Sequence, residues 1–341
     1  MFVLGIESTC DETGCAVVES GRIIHSNVVS SQIDLHAAYG GVVPELACRR
    51  HIDVIIPVLD EALHNAKISL SAIDLIAVAH GPGLIGALMI GLHTAKGLAL
   101  ALNKPLIGVN HIEAHLYAAL MDLPSDATFP LLGVVVSGGH TSLIKMHSIG
   151  SYSLIGQTVD DAVGEAFDKV AKMLGLPYPG GPAIEALAKG GDPNRFPFRA
   201  GVVKGRPFDF SYSGLKTRVL YEIKGQNSDK NAPVVIQNSD IPDIAASFQA
   251  AALGDVLEKS LKACSAYGCN GTVLGGGVTN NKYLRSLFQA ADLGVPIYWP
   301  APELSLDNAA MIAGLGHARY LARGCGDGMD LSPQTRIPLG S

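Results

Sequence analysis

The sequence predicts an α/β protein of two related lobes, and three observations carry that expectation. Through the N-terminal half, short apolar strands alternate with longer segments of helical periodicity. A pattern of strand, tight turn and return strand opens the chain and starts again at residue 131. Of the 341 residues 48% are hydrophobic and only 16% charged, against roughly 25% charged in ordinary soluble domains, so buried sheets or partner-covered faces are expected.

In chain order, "VLGIES" (3–8), "CAVVES" (15–20) and "RIIHSNVVSS" (22–31) read as strands, and "PELACRRHIDVIIPVLDEAL" (44–63) as a long helix. "IDLIAVAHG" (73–81) is a strand leading through "GPG" into an apolar helix over 84–102. "PLIGVN" (105–110) opens directly into a helix carrying His111 and His115. The second lobe begins with "PLLGVVVSGGHTSLIKM" (130–146), two strands around a glycine turn. It continues with a helix over 160–175, N-capped near Asp160 and closed at Gly175. Residues 190–240, richer in Gly, Pro, Asn and Asp, read as an insertion with flexible loops. A helix over 241–264, a strand turning into a helix at 271–289, a short strand "PIYWPA" and a last helix over 307–324 complete the chain. The lobes are assigned to 1–130 and 131–341, with the last helix able to pack back on the first lobe.

Net charge is −6, which excludes a surface basic throughout and leaves nucleic acid to a local patch. Six cysteines without a CxxC pair fit reduced thiols in a cytoplasmic protein. The start "MFVLGIEST" lacks a basic region before an apolar core and reads as a strand, not a signal peptide. The most apolar stretch, 84–102, is interrupted by His93 and Lys96 and carries glycines at 86, 91 and 97, so a tightly packed helix is expected and no membrane span.

"NHIEAH" (110–115) places two histidines four apart, on one helix face and able to share a metal ion. In the zinc-protease pattern the glutamate directly follows the first histidine; here Glu113 lies at the midpoint, ~200° from both, and cannot serve as that base. The pair alone leaves ordinary helix histidines equally open. "SGGH" (137–140) and "GGG" (275–277) are glycine turns that can offer backbone N–H groups to phosphate. Together with Asp11, Asp168 and Asn281 just beyond strand ends, they describe a nucleotide cleft between two lobes.

"GIESTCDET", "VVVSGGHTSLI", "GEAFDK", "VLGGGVTNN" and "DNAAMIA", in this order, resemble the phosphate loops, connecting helices and adenosine loop of the actin, sugar kinase and heat-shock ATPase superfamily. More narrowly, "GIESTCDETG", "GGVVPELA", "GPGL", "NHIEAH", "SGGHT", "DDAVGEAFDKVAKMLGLPYPGGP", "FSYSGLKT" and "DNAAMIA" resemble the tRNA N6-adenosine threonylcarbamoyltransferase (TsaD) family, formerly called O-sialoglycoprotein endopeptidase. The resemblance runs from residue 1 to about 320.

It implies transfer of the threonylcarbamoyl group from L-threonylcarbamoyl-adenylate to N6 of adenine 37, in tRNAs reading codons that begin with A. It implies one divalent metal ion, iron by resemblance with zinc as the other choice, held by His111, His115 and Asp307. It implies substrate contacts at Val135, Val136, Ser137, Gly138, Gly139, Asp168, Gly181 and Asn281. Glu185 stands where many relatives carry aspartate as a further sugar contact. Asp11 and Glu12 are the candidate catalytic acids of the first loop, and ATP with magnesium is the other candidate for the cleft.

The expected partners are tRNA, an inactive TsaB-like paralogue and a small TsaE-like ATPase. The close basic pairs are Arg49 with Arg50, Lys204 with Arg206, and Lys216 with Arg218. His80 and the tail "SPQTRIPLGS" depart from the usual family pattern. The rival readings are a small-molecule kinase or ATPase of the same superfamily and, behind it, a metalloprotease.

Overall fold

The computed structural model describes residues 1–123, 127–226, 235–291 and 293–339. The elements are β1 (Phe2–Glu7), β2 (Glu12–Glu19), β3 (Ile23–Ser31), α1 (Ile33–Ala37), α2 (Pro44–Ala66), β4 (Leu75–Gly81), α3 (Ile85–Leu102), β5 (Leu106–Asn110) and α4 (His111–Leu120). They continue with β6 (Leu131–Val136), β7 (Thr141–Ser148), β8 (Ser151–Gln157), α5 (Val163–Met173), α6 (Gly180–Ala188), α7 (Ser213–Lys224), α8 (Ile241–Ala266), β9 (Thr272–Gly275), α9 (Lys282–Ala290), β10 (Ile297–Tyr298) and α10 (Ala309–Arg323).

Two sheets carry these elements, ordered β3-β2-β1-β4-β5 and β8-β7-β6-β9-β10, so the second repeats the strand order of the first. In each, an antiparallel hairpin is followed by strands that return parallel to its first strand. The hairpin loops and the ends of the parallel strands therefore gather at one edge of each sheet, where ligands of open α/β sheets bind.

The first unit comprises Met1–Asp126, Ser148–Tyr152 and Pro300–Ser341; the second comprises Ala127–His147 and Ser153–Trp299. Residues 300–341, α10 among them, thus belong to the first unit. The reason is packing: a Cβ at Gly5 of β1 would run into the Ala309 carbonyl and Ala313, so α10 lies on β1 as closely as a glycine backbone allows. The first core gathers Leu4, Ile6 and Val17 from the strands with Val54, Val58, Leu59 and Leu92 from α2 and α3. On α3, Gly86 closes on Cys48 and Gly91 on Ser8, whereas Gly97 meets open space.

Within the span 190–240, residues 190–212 are turns and irregular backbone, and Ser213–Lys224 is the helix α7. Phe198, Phe210, Tyr212, Leu215, Val219 and Ile223 are core residues of the second unit; residues 227–234 of that span lie outside the described ones. Its Gly, Asn and Pro content masked apolar residues spaced for α7. Asp160 does not cap α5 either. Its carboxylate accepts from Ser211 Oγ (2.6 Å), Tyr212 N (2.8 Å) and Ser213 Oγ (2.7 Å), while the Val163 N–H at the start of α5 donates to Thr141 Oγ1 (2.8 Å).

His80 closes β4 and tests the folded packing through pH. Burial lowers its pKa, Arg319 and Arg323 add to that effect, and the Ser332 backbone and Asp327 oppose it. An unfolded histidine titrates near ~6.5, so the unfolded chain binds the extra proton, and the His80 contribution is complete above that pH and shrinks as pH falls. Urea midpoints measured from pH 7.5 down to pH 5.5 should therefore fall less steeply in His80→Gln than in the wild type; identical slopes would remove His80 from the linkage.

Candidate functional site

Two helices that begin with an asparagine cap bring three side chains together. Asn110 Oδ1 accepts from the N–H groups of Ile112 (2.9 Å) and Glu113 (3.4 Å), which starts α4 at His111. Asn308 Oδ1 accepts from Met311 N (3.1 Å), which starts α10 and leaves Asp307 just before it. Such caps satisfy amides the helix cannot, so the flanking residue is held in place. Asp307 Oδ1 then lies 3.6 Å from His111 Nε2 and 3.1 Å from His115 Nε2. One ligand atom from each of the three residues lies within 4.8 Å of the others, a spacing that a single cation can bridge.

The side chains behind this triad fix its chemistry. Glu7, without exposed surface at the end of β1, takes Thr9 N on Oε1 (2.6 Å) and His111 Nδ1 on Oε2 (3.0 Å). A carboxylate only accepts, so Nδ1 of His111 carries a proton and Nε2 is the nitrogen turned to Asp307. Burial opposes a charged His111, but Glu7 and Asp307 outweigh it and push its pKa up to about 9. His115 Nδ1 is buried without a hydrogen-bond partner and its Nε2 faces the Asp307 carboxylate alone, which suits a ligand rather than a core histidine. Glu113, equally buried, turns its carboxylate toward Arg319 (3.9 Å) and stays off the triad.

Next to the triad runs the acidic loop between β1 and β2. Burial, then Asp307 and Asp11, push the Glu12 carboxyl up to about 10. Burial beside Asp11 and Asp307 likewise raises the Cys10 thiol, which stays protonated. Positive charge placed here relieves crowding among carboxylates, and two imidazoles with one carboxylate suit a divalent ion.

In the second unit, the parallel pairing of β6 with β9 sets Val135 beside Gly275, so the loops that follow are neighbours. Ser137 N donates to the His140 carbonyl (2.8 Å) and His140 N to Ser137 Oγ (3.0 Å), which closes a tight turn with Gly138 and Gly139 exposed at its tip. Gly276 has φ +95°, and a Cβ there would sit 2.5 Å from the Val136 carbonyl, so only glycine brings these loops so near. The first turn of α5 reaches the same place, with Gly164 N donating to the Ser137 carbonyl (3.2 Å). A helix N-terminus and an exposed glycine turn together offer backbone donors to an anion.

A family model described as tRNA N6-adenosine threonylcarbamoyltransferase matches residues 23–314. The chain belongs to this family. It is 65% identical over 341 residues to the tRNA N6-adenosine threonylcarbamoyltransferase of Protochlamydia amoebophila (strain UWE25), covering 100% of this chain and 99% of the relative. It is 52% identical over 324 residues to that of Chlamydia felis (strain Fe/C-56), covering 95% and 93%. Among solved structures, full-length HypF in its phosphate- and nucleotide-bound form has TM-score 0.60 at 15% identity, covering 93% of this chain and 55% of that one. Component A of the Acidaminococcus fermentans (R)-2-hydroxyglutaryl-CoA dehydratase has TM-score 0.52 at 16% identity, covering 94% and 99%. Both structures share the fold of this chain, with its paired α/β sheets.

Set against this threonylcarbamoyltransferase family, the expected substrate residues fall into two groups. Val135, Val136, Ser137, Gly138 and Gly139 form the end of β6 and its turn. Asp168 accepts from Gly180 N (2.7 Å), which ties α5 to the start of α6 beside Gly181. Asn281 is engaged in the fold: Oδ1 caps α9 through Leu284 N (2.9 Å) and Nδ2 donates to Gln249 (3.0 Å). Glu185 accepts from Lys282 N (2.9 Å) in the first turn of the same helix. The sequence reading passed over Glu7, whose signal was a lone acid inside an apolar strand, and Thr141, whose hydroxyl takes the first α5 amide.

These contacts separate the two α9 residues. Asn281→Ala removes a cap and leaves buried Gln249 unpaired, so unfolding free energy should drop by about 1–3 kcal/mol. Glu185→Gln, at a more exposed bond, should cost less than about 0.5 kcal/mol. Urea unfolding of both variants checks the contrast, and equal losses would contradict it.

Proposed function

We propose that this chain transfers the threonylcarbamoyl group from L-threonylcarbamoyl-adenylate to N6 of adenine 37 in tRNAs reading codons that begin with A. The observation that carries the reading is the meeting of His111, His115 and Asp307 in a chain 65% identical, end to end, to an enzyme named for that transfer. His111, His115 and Asp307 hold one divalent ion, iron or zinc. Bound there, the ion supplies Lewis-acid polarisation of an acyl or phosphoryl oxygen.

The remaining work belongs to side chains and backbone. The adenylate is held in the second unit, its phosphate at the Ser137–Gly139 turn under the first turn of α5, with Asp168 and Gly181 toward the ribose and Glu185 and Asn281 toward the nucleoside. The N6 amine attacks the carbamoyl carbon, a C–N bond forms and the adenylate C–O bond breaks, releasing AMP. Asp11 accepts the proton from the attacking nitrogen. Glu12 keeps its own proton at neutral pH and steadies its neighbour by hydrogen bonding.

Partners are part of the proposal. Ile52 and Ile56 on α2 are 59% and 53% exposed, and Ile85 and Met89 on α3 are 49% and 41% exposed. An apolar face of this kind supports pairing with an inactive paralogue, and a small ATPase completes the set. Two residues of the close basic pairs are already paired with acids, Arg206 with Asp209 (2.9 Å) and Lys216 with Asp161. Arg49, Arg50, Lys204 and Arg218 are exposed and support weak, salt-sensitive docking of tRNA that the partners strengthen. The setting is cytoplasmic.

Transfer of labelled threonine to an A-codon-reading tRNA transcript, with bicarbonate, ATP, the adenylate-forming enzyme and partners supplied, tests the reading. His111→Ala should lose at least about a hundredfold in rate, since it removes a metal ligand. Phosphorylation of a small molecule without label on tRNA would replace the reading with a kinase. Met89→Glu should reduce transfer only when the paralogue is limiting, and a loss that excess paralogue leaves unchanged would contradict the docking face.

Metal affinity carries its own pH signature. Below its raised pKa of about 9, His111 holds a proton that a cation must displace. Zinc affinity measured by chelator competition should therefore weaken by about tenfold per pH unit from pH 8.5 down to pH 6.5, and a flat profile would exclude His111 as a ligand.

A further inference from the structure

α2 contributes one more side chain to the acidic loop. His51 has no exposed surface, and neither has Thr13. Its Nε2 lies 3.0 Å from the Cys10 carbonyl, and its Nδ1 lies 2.7 Å from Thr13 Oγ1. A carbonyl only accepts, so Nε2 bears the proton, and the lone pair of Nδ1 takes the Thr13 hydroxyl. The neutral ring has one tautomer here, with both nitrogens used. Burial, which lowers its pKa against the Cys10 carbonyl, Glu7 and Asp11, keeps it neutral.

Cys10 and Thr13 flank Asp11 and Glu12. Holding both flanks with one rigid ring leaves the two-residue acidic segment little freedom. What freedom remains is reduced from β3 and the residue after it, where Gln32 N donates to the Asp11 carbonyl (3.1 Å) and Ser31 Oγ to Glu12 Oε1 (3.1 Å). An ordinary buried histidine needs only to satisfy its nitrogens. This one spends both on the two residues that bracket the acids.

We propose that His51 is a positioning residue for acyl transfer, a clamp that holds Asp11 where it receives the proton of the attacking amine. This rests on the reading of Asp11 as the proton acceptor. Displacement of a reacting group by about 1 Å is worth about a hundredfold in rate, which sets the scale. His51→Leu keeps an apolar filling and loses both bonds; His51→Gln keeps a donor for the Cys10 carbonyl.

The test is a double-mutant cycle on transfer kinetics with the full chain, its partners and saturating metal. His51→Leu should lower kcat by about ten- to a hundredfold while KM for tRNA and bound metal stay unchanged, and His51→Gln should recover part of the loss. In an Asp11→Asn background His51→Leu should cost nothing further, because the group it positions is gone. Multiplying losses, or a fall in kcat matched by loss of metal, would make His51 a plain core residue and overturn the proposal. If His51→Leu does not fold, the same cycle is run with His51→Gln, and additivity there overturns it equally. Should Asp11→Asn leave kcat untouched, the Asp11 assignment fails and takes the clamp with it; an impaired Asp11→Asn beside a harmless His51→Leu sinks the clamp alone.

Discussion

The first unit is organised around one buried carboxylate. Glu7 has no exposed surface, and an unpaired carboxylate there would cost several kcal/mol. Its two partners are the Thr9 amide at the turn of the loop and Nδ1 of His111 at the head of α4. One side chain therefore fixes the path of the acidic loop, the tautomer of His111 and the angle at which α4 leaves β5. Asp307 can meet the histidines because α10 lies flush on the strand that carries Glu7, at Gly5 two residues earlier. Without a match for Glu7 these elements have no common reference.

The same strand order serves two chemistries because the loops differ. After β1 the loop carries Asp11 and Glu12 and is held by bonds to Leu84, Gln32 and His51. After β6 the corresponding loop carries Gly138 and Gly139 and is held mainly by its own Ser137 and His140. An acidic loop needs neighbours that bear its charge. A glycine loop offers its amides to an incoming anion. One strand order thereby carries an acidic loop in the first unit and a glycine loop in the second, each set where a hairpin meets the tip of a parallel strand.

Much of this was legible in the sequence, and the limits have physical causes. The strands of the first sheet and the helix phase of His111 and His115 could be read directly, since period and apolar pattern are local properties. Asp307 could be joined to the histidines only through family resemblance, as no spacing rule connects residues so far apart. Long-range packing was only coarsely legible: the last helix was expected to be able to return to the first lobe, but nothing in its composition says that it lies on β1 at Gly5. Asp160 looked like a cap because acids commonly are, yet three donors from the 211–213 segment outcompete a helix start three residues away.

The electrostatics of the triad argue for a cation from the protein side alone. α4 and α10 both begin there, and two helix N-termini bring partial positive charge, which by itself repels a metal ion. The surrounding acids more than reverse this. Glu7, Asp11, Glu12 and Asp307 outnumber the basic groups near them, and the protein by itself answers the excess by retaining protons, on His111 up to about 9 and on Glu12 up to about 10. Protons held so far above their ordinary range mark a place where positive charge lowers the energy, whether it arrives as protons or as an ion. A divalent cation supplies that charge at one point, and the proton it displaces from His111 frees Nε2 and its lone pair for coordination. The histidine pair thus follows from the acids around it as much as from its own spacing.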